Sequence, residues 1–585
     1  MPTITQDWFE MPEIIRRSLT TAAWITLRAG TYPISKGNYG YLGHEEEFLG
    51  LGSLAVYLTK RGLAKDFGYD ELGLSHNHGP IAEETSYVPA EIHAENDGNP
   101  IGVRLVISQP GNSNEYNEWH LNQDLIIALG LKREGDSWLA MDEGYLEVAR
   151  LKRTPDKKPE CLEIRTEHLR DYLCARGMTL CVATFRERRA TLADISGITW
   201  GTEHPTKDFN GTLWEGHITE VHEGGMQYGG SIAVFHTSRT DVAQDDDVPT
   251  IGHPRDGQFK SESWTKKPQG RKLFAVCGNI YRTEWIEPAT LSPRVRRDKT
   301  PTGISYVVDA AGQKMSSEEL RDTGRWLWFK PEVIGALLRT RGSALKWCTK
   351  DTGQIQCSAS SNTHFGINKN GFINVYAKDI GILPAWEQQI WAGHNISPDG
   401  GVSEELMASQ VNAEPADTQA PEEALPEIYT ELKKISKAKL GFSIFREHDA
   451  IPSLLTGSHR FQAVDKGLCS LAKDLARLTA DNIDASSIQS KVTPPKGEKW
   501  GSLKSLEKLI ATKIGDELAH KVMGPLSGIY SLRLLDAHLP QSDINEALDL
   551  IKVDTKLPQL FQGHQMIHSF VASLVMIYDV IDKKF

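Results

Sequence analysis

Before residue 397 the chain mixes two hydrophobic patterns. Short runs rich in β-branched and other apolar residues lie at 101–108, 231–235 and 371–376, and Gly, Asn or Pro bounds each of them, which predicts strands. Between these runs, apolar residues recur with the helical period at 162–175 and 331–340. This part of the chain is therefore expected to be mixed α/β with many short strands.

After residue 426 the pattern becomes helical throughout. Long amphipathic stretches cover residues 460–479, 502–523 and 557–581, with short breaks at Pro and Gly between them. The pattern predicts an all-α domain of about six helices over residues 427–585.

Residues 397–426 separate the two patterns. This stretch has four prolines, seven acidic residues and no lysine or arginine. Because so little of it is apolar, its burial is not expected to offset the entropy of ordering it, and we predict a mobile acidic linker. The alternative is a long surface loop clamped to the domain. The predicted fold class is α+β multidomain, with a mixed α/β unit at 1–190, a second β-rich α/β unit at 191–396, the linker, and the helical domain.

Composition agrees with a multidomain protein and locates its charge. The chain has 585 residues, is 39% hydrophobic and 24% charged, and has a formal net charge of −12. From residue 427 onward there are 21 Lys+Arg and 19 Asp+Glu, or +2, so the remainder carries −14. The total excludes a protein coated with basic surface, but the helical domain is the part that could meet phosphate.

The cysteines and the apolar runs indicate the cellular compartment of the protein. There are seven cysteines, an odd number, and no two stand in Cys-x-x-Cys spacing, which favours a reducing compartment. The start of the chain lacks a basic and apolar leader, and the most apolar run, 566–578, is too short to span a bilayer. We expect a cytoplasmic protein with no membrane partner.

Familiar catalytic motifs are missing from the sequence. There is no Gly-x-x-x-x-Gly-Lys-Ser/Thr phosphate loop, no Gly-x-Ser-x-Gly elbow and no His-Glu-x-x-His helix. His76 and His78, with Glu83 and Glu84 close behind, offer ligand types for a divalent metal, although a polar turn explains them as well. We expect no metal and no cofactor.

One pair in the helical domain has residue types suited to RNA cleavage. Arg533 and His538 stand before Pro540, near the end of a predicted helix. A histidine can accept the proton of a 2′-hydroxyl near neutral pH, and a guanidinium can bind the negative phosphorane. Five residues turn about 140° around a helix, so the two side chains do not share a face. A structural role, with His538 at the helix C-terminus and Arg533 paired to Asp536 or Asp543, also fits.

The sequence 528–540, with Arg-x4-His inside a compact helical domain, resembles the HEPN superfamily of helical ribonucleases. The resemblance covers residues 427–585 and implies metal-independent RNA cleavage by a homodimer, with the motifs of two copies facing each other. Arg533 and His538 would be catalytic, and Asp536 could take over an orienting role. The chain departs from the pattern at Leu534, where the family commonly has a polar residue.

These observations predict a prokaryotic defence or toxin-like protein. Its residues 1–396 would sense a protein or phage-derived trigger, and its helical domain would be an endoribonuclease acting on RNA. The alternative is a non-enzymatic binding protein whose helical domain mediates dimerisation or partner docking. A third hypothesis is a metal nuclease that uses His76 and His78.

Overall fold

The computed structural model shows an α+β multidomain protein made of two units. It describes residues 4–74, 80–82, 84, 87–94, 98–110, 117–200, 204–209, 211–224, 233–239, 260–266, 270–299, 303–358, 361–414, 416–534 and 541–585. The first unit comprises residues 1–141 and 145–300, and the second comprises residues 142–144 and 301–585.

The first unit is built on a 12-stranded antiparallel sheet. Ten of its strands follow the order β14-β15-β18-β13-β2-β1-β12-β11-β10-β9. The other two are β5 and β6, and β6 pairs with both β2 and β5. The pairs β3–β4, β7–β8 and β16–β17 are separate hairpins. The strands are β1 Trp24–Lys36, β2 Glu45–Tyr57, β3 Ile81–Ala82, β4 Tyr87–Val88, β5 Ile92–Ala94, β6 Pro100–Val103, β7 Val106–Pro110, β8 Asn117–Leu121, β9 Leu131–Glu134, β10 Ser137–Ala140, β11 Leu146–Arg153, β12 Pro159–Arg165, β13 Met178–Leu192, β14 Thr206–Asp208, β15 Thr212–His222, β16 Ala233–Arg239, β17 Lys260–Lys266 and β18 Lys272–Ile286.

Short helices cover this sheet, and one of them requires a glycine beneath it. The helices are α1 Gln6–Glu10, α2 Pro12–Ile15, α3 Tyr69–Leu72, α4 Gln123–Ala128 and α5 Thr166–Arg176. A Cβ atom at Gly52 of β2 would lie 1.6 Å from the carbonyl oxygen of Leu72, so only glycine lets α3 approach the strand. The predicted helix at 162–175 begins later, at Thr166, because residues 162–165 pair within the sheet as the end of β12.

The second unit combines a smaller sheet with all the long helices of the described chain. Its six-stranded antiparallel sheet has the order β22-β23-β24-β25-β21-β26, and β19–β20 is a hairpin. The strands are β19 Ser305–Val307, β20 Lys314–Ser316, β21 Trp326–Phe329, β22 Ala344–Trp347, β23 Thr352–Ser358, β24 Ser361–Ile367, β25 Ile373–Tyr376 and β26 Asn395–Ile396. Four helices accompany this sheet: α6 Glu332–Leu338, α7 Ala377–Gly381, α8 Ala385–His394 and α9 Glu404–Gln410.

The chain from residue 421 onward is helical and has its own core, as the hydrophobic pattern predicts. The helices are α10 Pro421–Leu440, α11 Ile451–Gly457, α12 Phe461–Lys466, α13 Leu468–Leu478, α14 Ala485–Gln489, α15 Ser502–Ile514, α16 Asp516–Leu534, α17 Gln541–Ile551 and α18 Gln559–Lys584. The amphipathic stretch 502–523 is divided between α15 and α16, because Gly515 adopts a φ of 83° that reverses the chain.

The boundary between the two units differs from the domain boundaries that the sequence predicts. It lies between residues 300 and 301, so the β-rich segment predicted at 191–396 is shared between the two units. In residues 397–426, predicted as a linker, the chain forms α9 and the first turns of α10. Its carboxylates have partners: Glu405 accepts hydrogen bonds from the Thr349 hydroxyl at 2.5 Å and the Thr418 hydroxyl at 2.8 Å. Hydrogen bonds of this kind offset the entropy cost of ordering the segment, which its composition alone had suggested would not be offset.

A buried ion pair joins the helices of the second unit to its sheet. Arg460, which is fully buried, donates from Nε and Nη2 to the two oxygens of Glu422 at 2.7 and 2.8 Å. Its Nη1 donates to the carbonyl of Lys350 at 3.0 Å, and its guanidinium lies 4.2 Å from the centroid of the Trp347 ring. Burial acts to raise the pKa of Glu422, but the charge and hydrogen bonds of Arg460 outweigh it and lower that pKa.

Apolar side chains next to the ion pair pack against the sheet. Phe461, the next residue after Arg460, stacks on Trp347 with ring centroids 5.8 Å apart and planes at 9°. Phe461 and Leu560 of α18 belong to the same buried cluster as the sheet residues Phe329 and Phe365. The helical region thus has its own core, contributes a few residues such as Phe461 to the core of the sheet, and forms one compact unit with the sheet.

By length and apolar composition, α18 is the one described helix that could cross a membrane. Over its most apolar window, 56% of the residues are buried inside the protein. Met566, Phe570 and Leu574 of this helix are fully buried in the core of the helical domain. The apolar face of α18 is thus used for packing.

We expect Arg460→Leu to lower the free energy of unfolding of the second unit by about 3–5 kcal/mol, because Glu422 would be left charged and unpaired in the interior. Arg339→Leu is the matched control, since Arg339 pairs with Asp465 but its side chain is 68% exposed, and about 0–1 kcal/mol is expected there. Urea denaturation of the full chain measures both. Equal losses in the two variants would contradict this account of the buried pair.

A buried carboxyl in α8 gives the second unit a pH dependence. Burial raises the pKa of Glu387 from 4.5 to about 7, and the neighbouring Trp391 offsets only part of that rise. The folded state then holds a proton that the unfolded chain releases, so the contribution of Glu387 to stability falls as pH rises from about 4.5 to about 7, by about 3 kcal/mol. Glu387→Gln should remove this dependence, and the exposed Glu404→Gln should keep it. Urea denaturation at about pH 5 and about pH 8 distinguishes the two.

Candidate functional site in the helical domain

Arg533 lies in the last turn of α16, at the surface of the helical domain. Its guanidinium forms an ion pair with Asp481, which follows α13 in the chain, and lies 6.0 Å from the centroid of the Tyr530 ring. The side chains of Arg533 and Asp481 are 28% and 41% exposed. Among the residues whose side chains the structure describes, the ion-pair partner of Arg533 is Asp481.

The other two predicted site residues are outside the described chain. His538 and Asp536 fall between α16, which ends at Leu534, and α17, which begins at Gln541. The structure therefore gives no distance from Arg533 to either of them. Leu534, the departure from the HEPN pattern, is described and is 52% exposed.

A groove of about 880 Å³ lies beside Arg533 in the same domain. It is formed by the loop before α15 and by the polar faces of α15 and α16. Among the residues that line it are Trp500, Lys504, Glu507, Lys508, His520 and Tyr530. Ala480 and Ser531 line the groove. Asp481 and Arg533, which follow them in the chain by one and two residues, form the ion pair, so that pair stands near the edge of the groove.

The amphipathic pattern of the two helices builds the walls of the groove. Their apolar side chains are buried in the core of the helical domain, and these include Leu506, Leu509 and Ile510 of α15 and Ala519, Met523 and Leu526 of α16. The turn at Gly515 brings the helices together as neighbours, so their polar residues are left facing outward. The groove thus follows from the position of one glycine and from the helical period.

Polar contacts fix several of the side chains in the walls. His520 Nδ1 lies 3.2 Å from Glu507 Oε1, which links α16 to α15. Lys508 donates to Asp516 at 2.7 Å, and this hydrogen bond raises the pKa of Lys508. The Trp500 indole donates to Glu498 Oε2 at 2.8 Å. These bonds hold the rings and charges of the groove in place.

The loop that leads into α15 makes this side of the domain basic. Residues 491–508 contain five lysines and two glutamates, or +3, which exceeds the +2 of the whole region from 427 onward. Lys491, Lys496 and Lys499 are exposed and have no ion-pair partner in the described part of the chain. These three lysines stand beside the groove and add positive charge next to it, whereas the lysines of its lining, Lys504 and Lys508, are paired with carboxylates.

Sequence reasoning missed this groove. The signal was present as the run Lys491-Val-Thr-Pro-Pro-Lys-Gly-Glu-Lys-Trp500, in which lysines, two prolines and a tryptophan precede a helix. The contribution of Tyr530 and His520 could not be found in the same way, because they are brought to the groove from a different helix.

Most of the proposed metal ligands lie outside the residues that the structure describes. His76, His78 and Glu83 lie outside the described residues. Within the described ranges, no group of three or more His, Cys, Asp or Glu side chains is placed to hold a metal ion.

Comparisons with known protein families, with curated proteins and with solved structures found no match for the chain.

Proposed function

We propose that the helical domain is a metal-independent endoribonuclease of a cytoplasmic, prokaryotic defence or toxin-like protein. One observation carries the proposal: Arg533 is in an exposed ion pair near a groove that is lined with aromatic and charged side chains and adjoins the lysine-rich loop 491–499. The resemblance of residues 528–540 to the HEPN superfamily supports it. The rest of the chain would hold the nuclease at a low basal activity until a protein or phage-derived trigger raises it.

Arg533 is suited to exchange its present partner for a phosphate. An ion pair between exposed side chains contributes only about 0–1 kcal/mol, so little is lost when Asp481 is displaced. A guanidinium binds two phosphate oxygens at once, and the phosphorane carries more negative charge than the phosphodiester. The interaction therefore strengthens as the reaction proceeds, which lowers the barrier.

The reaction needs no metal. A ribose 2′-oxygen attacks the adjacent phosphorus, and the bond from phosphorus to the 5′-oxygen breaks. His538 would take the proton of the 2′-hydroxyl or return a proton to the leaving 5′-oxygen. The products are a 2′,3′-cyclic phosphate and a 5′-hydroxyl.

We expect the full-length protein to cleave tRNA or mRNA with EDTA present, and both Arg533→Ala and His538→Ala to be at least about 100-fold slower. The control Arg477→Ala changes another surface arginine of the domain, which pairs with Asp474, and should retain activity. Gel analysis of the RNA and detection of cyclic-phosphate ends measure the result. Equal cleavage by all variants, or cleavage abolished by EDTA, would reject the proposal.

We further propose that the active form is a homodimer through the helical domain. The resemblance of residues 528–540 to the HEPN superfamily supports this, because it implies that the motifs of two copies face each other. If Arg533 of one copy acts with His538 of the other, mixing the inactive Arg533→Ala and His538→Ala proteins creates one intact pair in each mixed dimer. We expect activity to return in the mixture. A mixture as inactive as its components would show that each copy uses its own pair.

The second candidate function is a binding protein without catalysis. The ion pair of Arg533 with Asp481 favours it, because a structural arginine is expected to be paired. In that case the wild type would be inactive and Arg533→Ala would change only stability.

A further inference from the structure

Two unpaired lysines next to the groove can bind phosphates. Lys504 and Lys508 are paired with Glu498 and Asp516. The loop lysines at 496 and 499 are exposed and unpaired in the described chain, and they flank the lining residues Pro495, Glu498 and Trp500. Lysines that gain phosphate partners release counterions from a nucleic acid, so such a site binds a polyanion in a salt-dependent way.

Aromatic rings in the same groove offer faces to bases. Trp500 lies at the start of α15 with its indole nitrogen held by Glu498, and Tyr530 is 36% exposed on α16. Rings that lie among lysines are the usual device for binding single strands, since every base can stack on them. A site for free phosphate alone would have no use for these rings.

The size of the groove selects a single strand. Its volume of about 880 Å³ is comparable to that of a site for a drug-sized ligand, which holds a few nucleotides but not a duplex. From His520 to Arg533 is 13 residues along α16, or about 20 Å, so a strand in the groove would extend to the proposed catalytic arginine.

Two hydroxyl groups in the groove suit ribose. Ser527 and Ser531 are one helical turn apart, line the groove, and make no side-chain hydrogen bond within the described residues. A free hydroxyl can bond with a ribose 2′-hydroxyl, which DNA lacks.

We infer that the groove between the 491–501 loop and α16 binds a segment of single-stranded RNA, with a base stacked on Tyr530 and phosphates bound by Lys496 and Lys499. The inference rests on the proposed function for its biological meaning, but binding can be measured separately from cleavage. The groove would deliver the strand to Arg533.

The test is the binding of a short fluorescein-labelled oligouridine with 2′-O-methyl riboses, which cannot be cleaved by a 2′-hydroxyl, to the full-length protein by fluorescence anisotropy. Tyr530→Leu should weaken binding by about tenfold, and Tyr530→Phe, which keeps the ring, should not. Lys496→Ala with Lys499→Ala should reduce the slope of log K against log salt by about 1.4. The control pair Lys434→Ala with Lys437→Ala, on α10, should leave the slope unchanged.

Further measurements decide the assignment. Unmodified oligouridine, checked by gel to be intact after titration, should bind more tightly than oligodeoxythymidine, and equal affinity would overturn the assignment to RNA. A duplex that binds as tightly as the single strand would overturn the groove as the site, and so would Tyr530→Leu binding like the wild type. Groove-dependent binding together with unaltered cleavage in Arg533→Ala would reject the proposed nuclease centre alone.

Discussion

The second unit depends on one interaction, the buried ion pair between Arg460 and Glu422. Arg460 is fully buried, both oxygens of Glu422 accept its hydrogen bonds, and a third bond reaches the carbonyl of Lys350 beside the sheet. A charge in such a place is tolerated only with complete pairing. The pair therefore fixes where the helices meet the sheet, and Phe461 stacked on Trp347 fills the adjoining space.

Because of that junction, the acidic stretch at 397–426 is part of the folded unit. Seven acidic residues and four prolines are typical of a linker when composition alone is considered. In the folded chain Glu422 meets Arg460, and Glu405 accepts bonds from Thr349 and Thr418. Glu405 and Glu422, two of the seven acidic residues on which the prediction of mobility rested, bind the segment to its unit, because partners from distant positions are available only after folding.

The sequence predicted the helical character of this domain but only part of its surface. The helical period gave the helices from 427 onward, although Gly515 divides one predicted stretch into α15 and α16. The motif analysis located Arg533, but its ion pair with Asp481, which lies 52 residues earlier in the chain, was not predicted. The groove was not predicted, because Trp500 and Tyr530 are 30 residues apart and no local spacing relates them.

The sequence by itself determined the fold class, the helical character of the last part of the chain, and the concentration of positive charge there. These depend on local quantities: the period of apolar residues, the position of glycines, and the count of charges. The tertiary structure decided which charges are paired, where the unit boundary lies, and which side chains share a groove. Those outcomes depend on contacts between distant positions such as Arg460 and Glu422 or Glu507 and His520, which no local pattern encodes.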